Sequence, residues 1–532
     1  MRQPATLAWA MPLLMVLFML FTANGAFFQQ LTAIYPLSLY PGFILSVATM
    51  AAFLLLLLVQ LAGLLLSPAW LYPVLLMLSA TTGYFTGQFG ILFDRVMLTN
   101  ILQTNPAEAA DLLSTGLIWH LVIFAIGPCL LLWLLRHHGT LSKPGWQARL
   151  MSLSVLLVLT LAGGLLYPAQ FASFFREHKS VRYYVTPLYP VYSAIDLGVR
   201  HLRHPTPSTL LPATAEPIQI EHTGHKELVV VVVGETARAD HFSLNGYARQ
   251  TNPLLAQQTS LLSYTQVQSC GTSTAVSVPC LFSFSDRESF DIDTAKNTEN
   301  VLDVLHRAGV SLLWRDNNSD DKGVADRIPY EDFQTSERNP ICNPECRDMG
   351  MLAGLQEFID SQTGDILIVL HQMGSHGPAY FKRYPQAFER FTPACQSNEL
   401  AECSHQEIIN AYDNSILYTD YFLNEVIELL KRNTPEFETA MLYMSDHGES
   451  LGENGVYLHG IPYFLAPESQ THVPFLVWVG DSSDIYYEES VKLTHQPYSH
   501  DDFSCSLLQA FEIEPHALGV TPCVPYFVYK AE

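Results

Sequence analysis

The chain changes pattern near residue 200. Before it, apolar side chains run on with few charges, in five stretches near the length that crosses a bilayer: Leu7–Phe28, Gly42–Leu65, Trp70–Phe89, Leu117–Leu135 and Leu150–Leu166. After residue 226, short apolar runs alternate with helix-like segments, the pattern of an α/β domain with a mainly parallel sheet. Four of these runs end in polar residues. Leu228–Val233 leads into Gly234-Glu235-Thr236, and Ser311–Trp314 into Arg315-Asp316-Asn317-Asn318. Ile366–Leu370 leads into His371-Gln372-Met373, and Ala440–Met444 into Ser445-Asp446-His447-Gly448. The valines at 229–233 suit a strand buried on both faces. Asn300–Ala308 and Cys403–Leu430 read as helices.

Open α/β sheets bind ligands beyond the carboxyl ends of their strands. Parallel strands would therefore bring Glu235, Asp446 and His447 to one point, and carboxylate and imidazole both ligate zinc. Each residue alone is a weak signal, since an Asp-His pair often does no more than cap a helix. His371, His376 and His459 stand in glycine-flanked loops, where a neutral ring binds metal and a charged one holds phosphate. The competing reading for each is a buried, hydrogen-bonded histidine. Between Cys270 and Cys280, small hydroxyl residues suggest a stapled turn that enters a helix. Helix amino termini attract anions, and a hydroxyl touching a metal there is activated as a nucleophile. Thr272, Ser273 and Thr274 are the candidates, with an ordinary helix cap as the alternative. Asn317, Asn318 and Lys322 offer phosphate donors in what would otherwise pass for an exposed loop.

Charge and cysteine usage assign compartments. The net charge of −23 over 532 residues lies mainly in the second half and argues against a nucleic-acid partner. Arg2 precedes the first span, and Arg136, Lys143 and Arg149 lie between the fourth and fifth; positive loops stay cytoplasmic. Five spans then put the amino terminus inside and the second half outside. A second apolar span follows the first closely, which argues against a cleaved signal peptide. Of nine cysteines only Cys129 falls in a span, and an even number in an exported domain suggests disulfides. Local pairing would join 270 to 280, 342 to 346, 395 to 403 and 505 to 523.

Between the third and fourth spans, Asn100, Thr104 and Glu108 share one helical face, although Pro106 weakens that helix or begins a new one. The stripe is either an ordinary polar surface or one that meets lipid headgroups or the second domain. The aromatic and basic segment 170–200 suits a membrane interface, and 203–225 reads as a linker. The expected organisation is a five-span membrane domain (1–169), interfacial helices and linker (170–225), and a soluble domain (226–532).

Five motifs occur together: Val-Gly-Glu-Thr-Ala-Arg-Ala-Asp-His (233–241), Cys-Gly-Thr-Ser-Thr-Ala (270–275), Arg-Asp-Asn-Asn-Ser (315–319), His-Gln-Met-Gly-Ser-His-Gly-Pro (371–378) and Ser-Asp-His-Gly-Glu-Ser-Leu-Gly-Glu (445–453). With the five spans, they resemble the bacterial inner-membrane phosphoethanolamine transferases, in particular the lipid A-modifying branch that includes the mobile colistin resistance enzymes. The resemblance implies a multi-span α-helical membrane domain and an α/β periplasmic domain of alkaline phosphatase/sulfatase-like fold. It implies Thr274 as the nucleophile and Glu235, Thr274, Asp446 and His447 as ligands of a catalytic zinc. It implies substrate contacts from Asn100, Thr104, Glu108, Asn318, Lys322, His376 and His459. The implied donor is phosphatidylethanolamine and the implied acceptor a phosphate of lipid A, with a monomer as the working unit. Val276 stands where some relatives carry tyrosine. Kdo, heptose and periplasmic glucans are alternative acceptors. A membrane-bound hydrolase of the same fold is the alternative reaction; a sulfatase is disfavoured, because the 270–275 loop lacks the Cys/Ser-x-Pro-x-Arg context. A silent envelope scaffold would have no need of so full a ligand set.

Overall fold

The computed structural model describes residues 10–104, 106–138, 141–203, 210–213, 225–343, 345–513 and 524–529. Contacts divide the chain into two units: Met1–Leu98 with Leu113–Leu202, and Thr99–Leu112 with Arg203–Glu532. The aromatic segment up to Leu202 thus groups with the membrane helices. The polar segment from Thr99 to Leu112 groups with the sheet domain.

In the first unit, helices stand at the five expected positions. Pro41–Leu65, Thr115–Leu134 and Trp146–Leu166 are each long and apolar enough to cross a membrane. The first expected span is instead two helices, Met11–Ala23 and Gly25–Ile34, bent by 68°. Asn24 lies at the break and is fully buried. Its Nδ2 donates to Met19 O (3.0 Å) and Thr186 O (2.8 Å), and its Oδ1 accepts from Thr186 N (2.9 Å). In lipid no water can satisfy freed backbone groups, so a break needs such a partner. Pro68–Phe89 is more polar, but Ser79, Thr82 and Thr86 are buried inside the unit. A π-helical turn, Val122–Ile126, precedes Gly127-Pro128. Proline has no N–H to close the α-helical ladder, which accounts for the widened turn.

The second unit is built on a seven-stranded sheet: β1 (Glu227–Gly234), β2 (Leu261–Tyr264), β3 (Ser311–Asp316), β4 (Tyr330–Asp332), β5 (Ile366–His371), β6 (Glu438–Ser445) and β7 (Phe475–Val479). Their spatial order is β2-β7-β6-β1-β5-β3-β4. The four runs read from sequence are β1, β3, β5 and β6, adjacent and parallel. β7 runs antiparallel to β6 and to β2 at one edge. Every residue of β1 from Leu228 to Val233 is fully buried. Helices Val301–Ala308 and His405–Asn433 are each opened by a capping box, on Asn300 and Ser404.

Register positions the site. Val233 pairs with both Met444 and His371, Gly234 pairs with Ser445, and Asp316 pairs with His371. The central strands therefore finish level, and the residues just beyond them share one rim. Asp446 N donates to Gly234 O (2.9 Å), which carries the β1–β6 ladder one residue past the strands.

Candidate active site

Glu235 and Asp446 leave neighbouring strands at the same level, and His447 follows. One oxygen or nitrogen from each lies within 4.8 Å of the others, and all three residues are fully buried. His447 Nε2 is 3.3 Å from Asp446 Oδ2 and 3.6 Å from Glu235 Oε1. Both of those carboxylate oxygens lack a hydrogen-bond donor. Buried carboxylate oxygens without a partner are costly, and a cation between them would remove the cost.

Thr274 completes the cluster. It is the first residue of the helix Thr274–Leu281, with Ser273 as N-cap. Its Oγ1 donates to Glu235 Oε2 (3.1 Å) and lies 3.4 Å from His447 Nε2. The Cys270–Cys280 disulfide ties the entering loop to the end of that helix. Thr272 does not reach the cluster: its hydroxyl donates to Ile461 O at 2.7 Å. Gly271 packs against Ser277 and Val276, where a Cβ would come within 2.9 Å of Val276 Cβ. Thr236, beside Glu235, holds φ at 54° although it is β-branched, and Leu458, beside His459, holds 62°. Strained backbone of this kind persists only where the surroundings over-determine it. At Thr236 the restraints are its N–H on Asp446 Oδ1 (3.2 Å) and Tyr412 Oη on its carbonyl (2.7 Å).

Electrostatics sort the protons. Burial, then the charge of Glu235, pushes Asp446 well above the usual carboxylate range. Burial, then His459, pulls His447 well below the usual imidazole range, leaving it neutral as a ligand must be. His376 behaves oppositely. Burial disfavours its charge, but the Glu108 carboxylate at 3.1 Å outweighs this and raises it to about 9. On Glu108, burial is likewise outweighed by His376, and the carboxyl falls to about 2.

The remaining expected residues fall into place unequally. His459 lies beside the cluster, its ring 4.4 Å from that of His447, and its Nδ1 is 2.8 Å from Glu449 Oε2. Tyr380 Oη donates to the other Glu449 oxygen (2.8 Å). Both amide hydrogens of Asn318 are engaged, one by Glu235 Oε2 (2.8 Å) and one by Gln372 O (2.7 Å). Lys322 is buried with its ammonium on Ser319 Oγ (2.7 Å) and Ser319 O (3.0 Å). His371 is not in a loop: it ends β5, and its Nδ1 lies 2.8 Å from Asp316 beneath the site. The expected Asn100–Thr104–Glu108 stripe is not one helical face. Helices Arg95–Gln103 and Pro106–Asp111 are separate, as Pro106 requires; Glu108 reaches His376, and Thr104 Oγ1 donates to Asn100 O (2.9 Å). Glu108, Asp111, Asn318, His376 and Arg383 line a cavity of about 200 Å³.

Several residues were not singled out in the sequence. Asp111 pairs with Arg383 (2.7 Å) and Lys382 (2.5 Å), which anchors the segment carrying Glu108. Buried Arg383 also donates to His376 O at 2.6 Å. Asp348 accepts from Asn317 Nδ2, Met373 N and Gly374 N and so shapes the turn before His376. Glu449 lies inside the 445–453 motif; Asp111, Asp348 and Arg383 have no local signal in the sequence. Three disulfides, 270–280, 342–346 and 395–403, match the expected pairing. Cys505 is also disulfide-bonded, while Cys523, its expected partner, lies outside the described residues.

Comparison with known proteins agrees with this geometry. The family described as Sulfatase matches residues 227–513, and the one described as Phosphoethanolamine transferase EptA/EptB matches 49–202. Phosphatidylethanolamine transferase Mcr-2 of Escherichia coli is 44% identical over 513 residues, covering 94% of each chain. The chain belongs to the phosphoethanolamine transferases. Phosphoethanolamine transferase EptA of Escherichia coli K12 is 36% identical over 96% of this chain and 94% of its own. The solved integral membrane lipooligosaccharide phosphoethanolamine transferase A (EptA) of Neisseria meningitidis superposes with a TM-score of 0.88 at 34% identity, covering 95% of both chains. The architecture is accordingly that of a membrane protein with amino-terminal transmembrane helices and a carboxyl-terminal periplasmic domain of alkaline phosphatase-like fold.

Proposed function

We propose that this enzyme takes phosphoethanolamine from phosphatidylethanolamine onto Thr274 and passes it to a phosphate of lipid A. The observation that carries the reading is the contact of Thr274 Oγ1 with Glu235 Oε2, inside a buried cluster that holds two carboxylate oxygens without donors. Two carboxylates, one neutral imidazole and a hydroxyl are a donor set suited to zinc, with Glu235, Asp446, His447 and Thr274 as the ligands. Zinc held there would lower the hydroxyl's pKa and polarise the phosphoryl oxygen.

The chain's own residues account for the rest. Glu235 would take the Thr274 proton as the Oγ–P bond forms and the bond to diacylglycerol breaks. His376, charged at neutral pH, is suited to hold the phosphoryl oxygens or to supply the proton that diacylglycerol needs. In the second half, an oxygen of a singly protonated lipid A phosphate forms the new bond to phosphorus and Thr274 Oγ leaves, regaining its proton from Glu235, while the proton released by the lipid A phosphate restores His376. The product carries an added ammonium over masked anionic charge. Polymyxin-like cationic peptides would then bind the surface less. We take the domain limits to be those expected from sequence, with five spans and a monomeric enzyme.

Mass spectrometry of lipid A from cells expressing the chain or its Thr274→Ala variant tests the reading. A phosphoethanolamine mass added only by the unaltered chain is expected. Unmodified lipid A with modified core sugars or glucans would overturn the acceptor, and full transfer by Thr274→Ala would overturn the nucleophile.

A further inference from the structure

The membrane unit holds a second cavity, of about 870 Å³, within the range of about 300–1,000 Å³ typical of ligand sites. Phe27, Met50, Leu54, Phe174 and Leu188 form its apolar walls. They come from the bent first span, the helix Pro41–Leu65 and the helices that follow the last span. At the mouth, Leu54, Phe175 and Tyr192 remain 37%, 56% and 61% exposed, so the cavity opens to the surroundings of the membrane helices.

Among the described residues, the ionisable side chains in the lining are basic ones or phenols. His178, Lys179 and Arg182 line it together with Tyr189 and Tyr192, and no Asp or Glu is among the lining residues. Arg182 is held in place by its Nη2 on Tyr183 Oη (3.2 Å), with its guanidinium 5.1 Å from the centre of that ring. Acids near in sequence or space are engaged elsewhere. Glu177 bonds Arg176 (2.7 Å) and Ser173 (3.2 Å), and Asp94 accepts from Met97 N (2.8 Å). An apolar volume beside two cations and two phenols matches an acyl chain joined to a phosphodiester. Asp94 is felt at Tyr189, but no carboxylate stands among the lining residues as a direct partner for a headgroup ammonium, whereas two cations stand there. We propose that this cavity is a binding site for a net-anionic glycerophospholipid of the phosphatidylglycerol type. This occupant is chemically distinct from the zwitterionic donor, and the site does not depend on the transfer reaction.

The test is native mass spectrometry of the delipidated full-length protein given equal amounts of phosphatidylglycerol and phosphatidylethanolamine with matched chains. Basic residues at a membrane surface each favour anionic lipid several-fold, so a preference of roughly tenfold or more for phosphatidylglycerol is expected. The Lys179→Ala/Arg182→Ala variant should lose that preference, and Lys179→Arg/Arg182→Lys should keep it. Equal retention of the two lipids by the unaltered protein overturns the proposal without recourse to any variant. So does a preference that survives in Lys179→Ala/Arg182→Ala, which would place the lipid elsewhere.

Discussion

Replacing Asn318 separates two roles that look alike in the sequence. The family resemblance implies contact with phosphoethanolamine. In the structure its amide donates to Glu235 Oε2 and to Gln372 O, and its Oδ1 accepts from Ser319 N (2.6 Å). With only 2% of the residue exposed and both amide hydrogens engaged, it acts as a brace for Glu235. A hydrogen bond to a charged group contributes about 1.5–3 kcal/mol. Loss of a partner that orients a metal ligand typically weakens metal binding about 10–100-fold, equivalent to about 1.4–2.7 kcal/mol. The two ranges agree. Asn318→Ala should therefore raise the zinc Kd of the full-length enzyme by that factor, measured by chelator competition. Turnover should fall at limiting zinc and recover in excess zinc, with KM for phosphatidylethanolamine nearly unchanged. Asn318→Asp should be worse than Ala, because it sets a second carboxylate against Glu235. An unchanged zinc Kd with a selective rise in KM would refute the brace and restore the substrate contact.

Three further predictions follow from the same geometry. Cys270→Ser/Cys280→Ser removes a disulfide of sequence separation 10 and should cost about 2–3 kcal/mol in chemical denaturation, with a larger loss of transfer, since Thr274 lies inside that loop; unchanged transfer would show that the staple does not place Thr274. The Glu108–His376 pair stabilises fully between the ordinary glutamate and histidine ranges; it is lost as pH rises through about 9 and, on the acid side, as pH falls through about 2. NMR titration of the zinc-free protein should show His376 near 9 and, in Glu108→Gln, well below that; equal values would sink the pairing. Asp420 is buried, accepts from Leu254 N and Leu255 N, and is raised to about 7 by burial. The native state then holds a proton that the unfolded chain releases near pH 4, so stability should fall as pH rises from about 4 to 7, by on the order of 3–4 kcal/mol. Asp420→Asn should flatten that slope in denaturation midpoints, and an identical slope would count against it.

The parts legible in the sequence are those set by local pattern or by register. The four apolar runs specified parallel strands because parallel sheets bury both faces, which leaves valine runs and no alternation. Once Gly234 pairs with Ser445, the next residue on each strand must reach the same rim, so Glu235 and Asp446 meet although 211 positions separate them. β7 gives no such signal at the rim because it runs antiparallel to β6: Val479 pairs with Ala440, so its polar sequel Gly480-Asp481-Ser482-Ser483 leaves at the opposite end of the sheet. The residues around the rim are a different matter. Arg383 and Asp111 lie 272 positions apart, and neither has a motif at its own position. Their pairing exists only because the segment from Thr99 to Leu112 groups with the sheet domain. The same physics explains the broken stripe. Asn100, Thr104 and Glu108 share a face only on an uninterrupted helix, and Pro106, with no N–H to donate, ends one helix and starts another. Glu108 is thereby freed from the direction set by Asn100 and reaches His376, which a continuous helix gives no reason to expect. Whether a side chain serves the reaction or the scaffold depends on which of its hydrogens are already engaged. For Asn318 that is decided by a carbonyl 54 residues away, and only the folded chain reveals it.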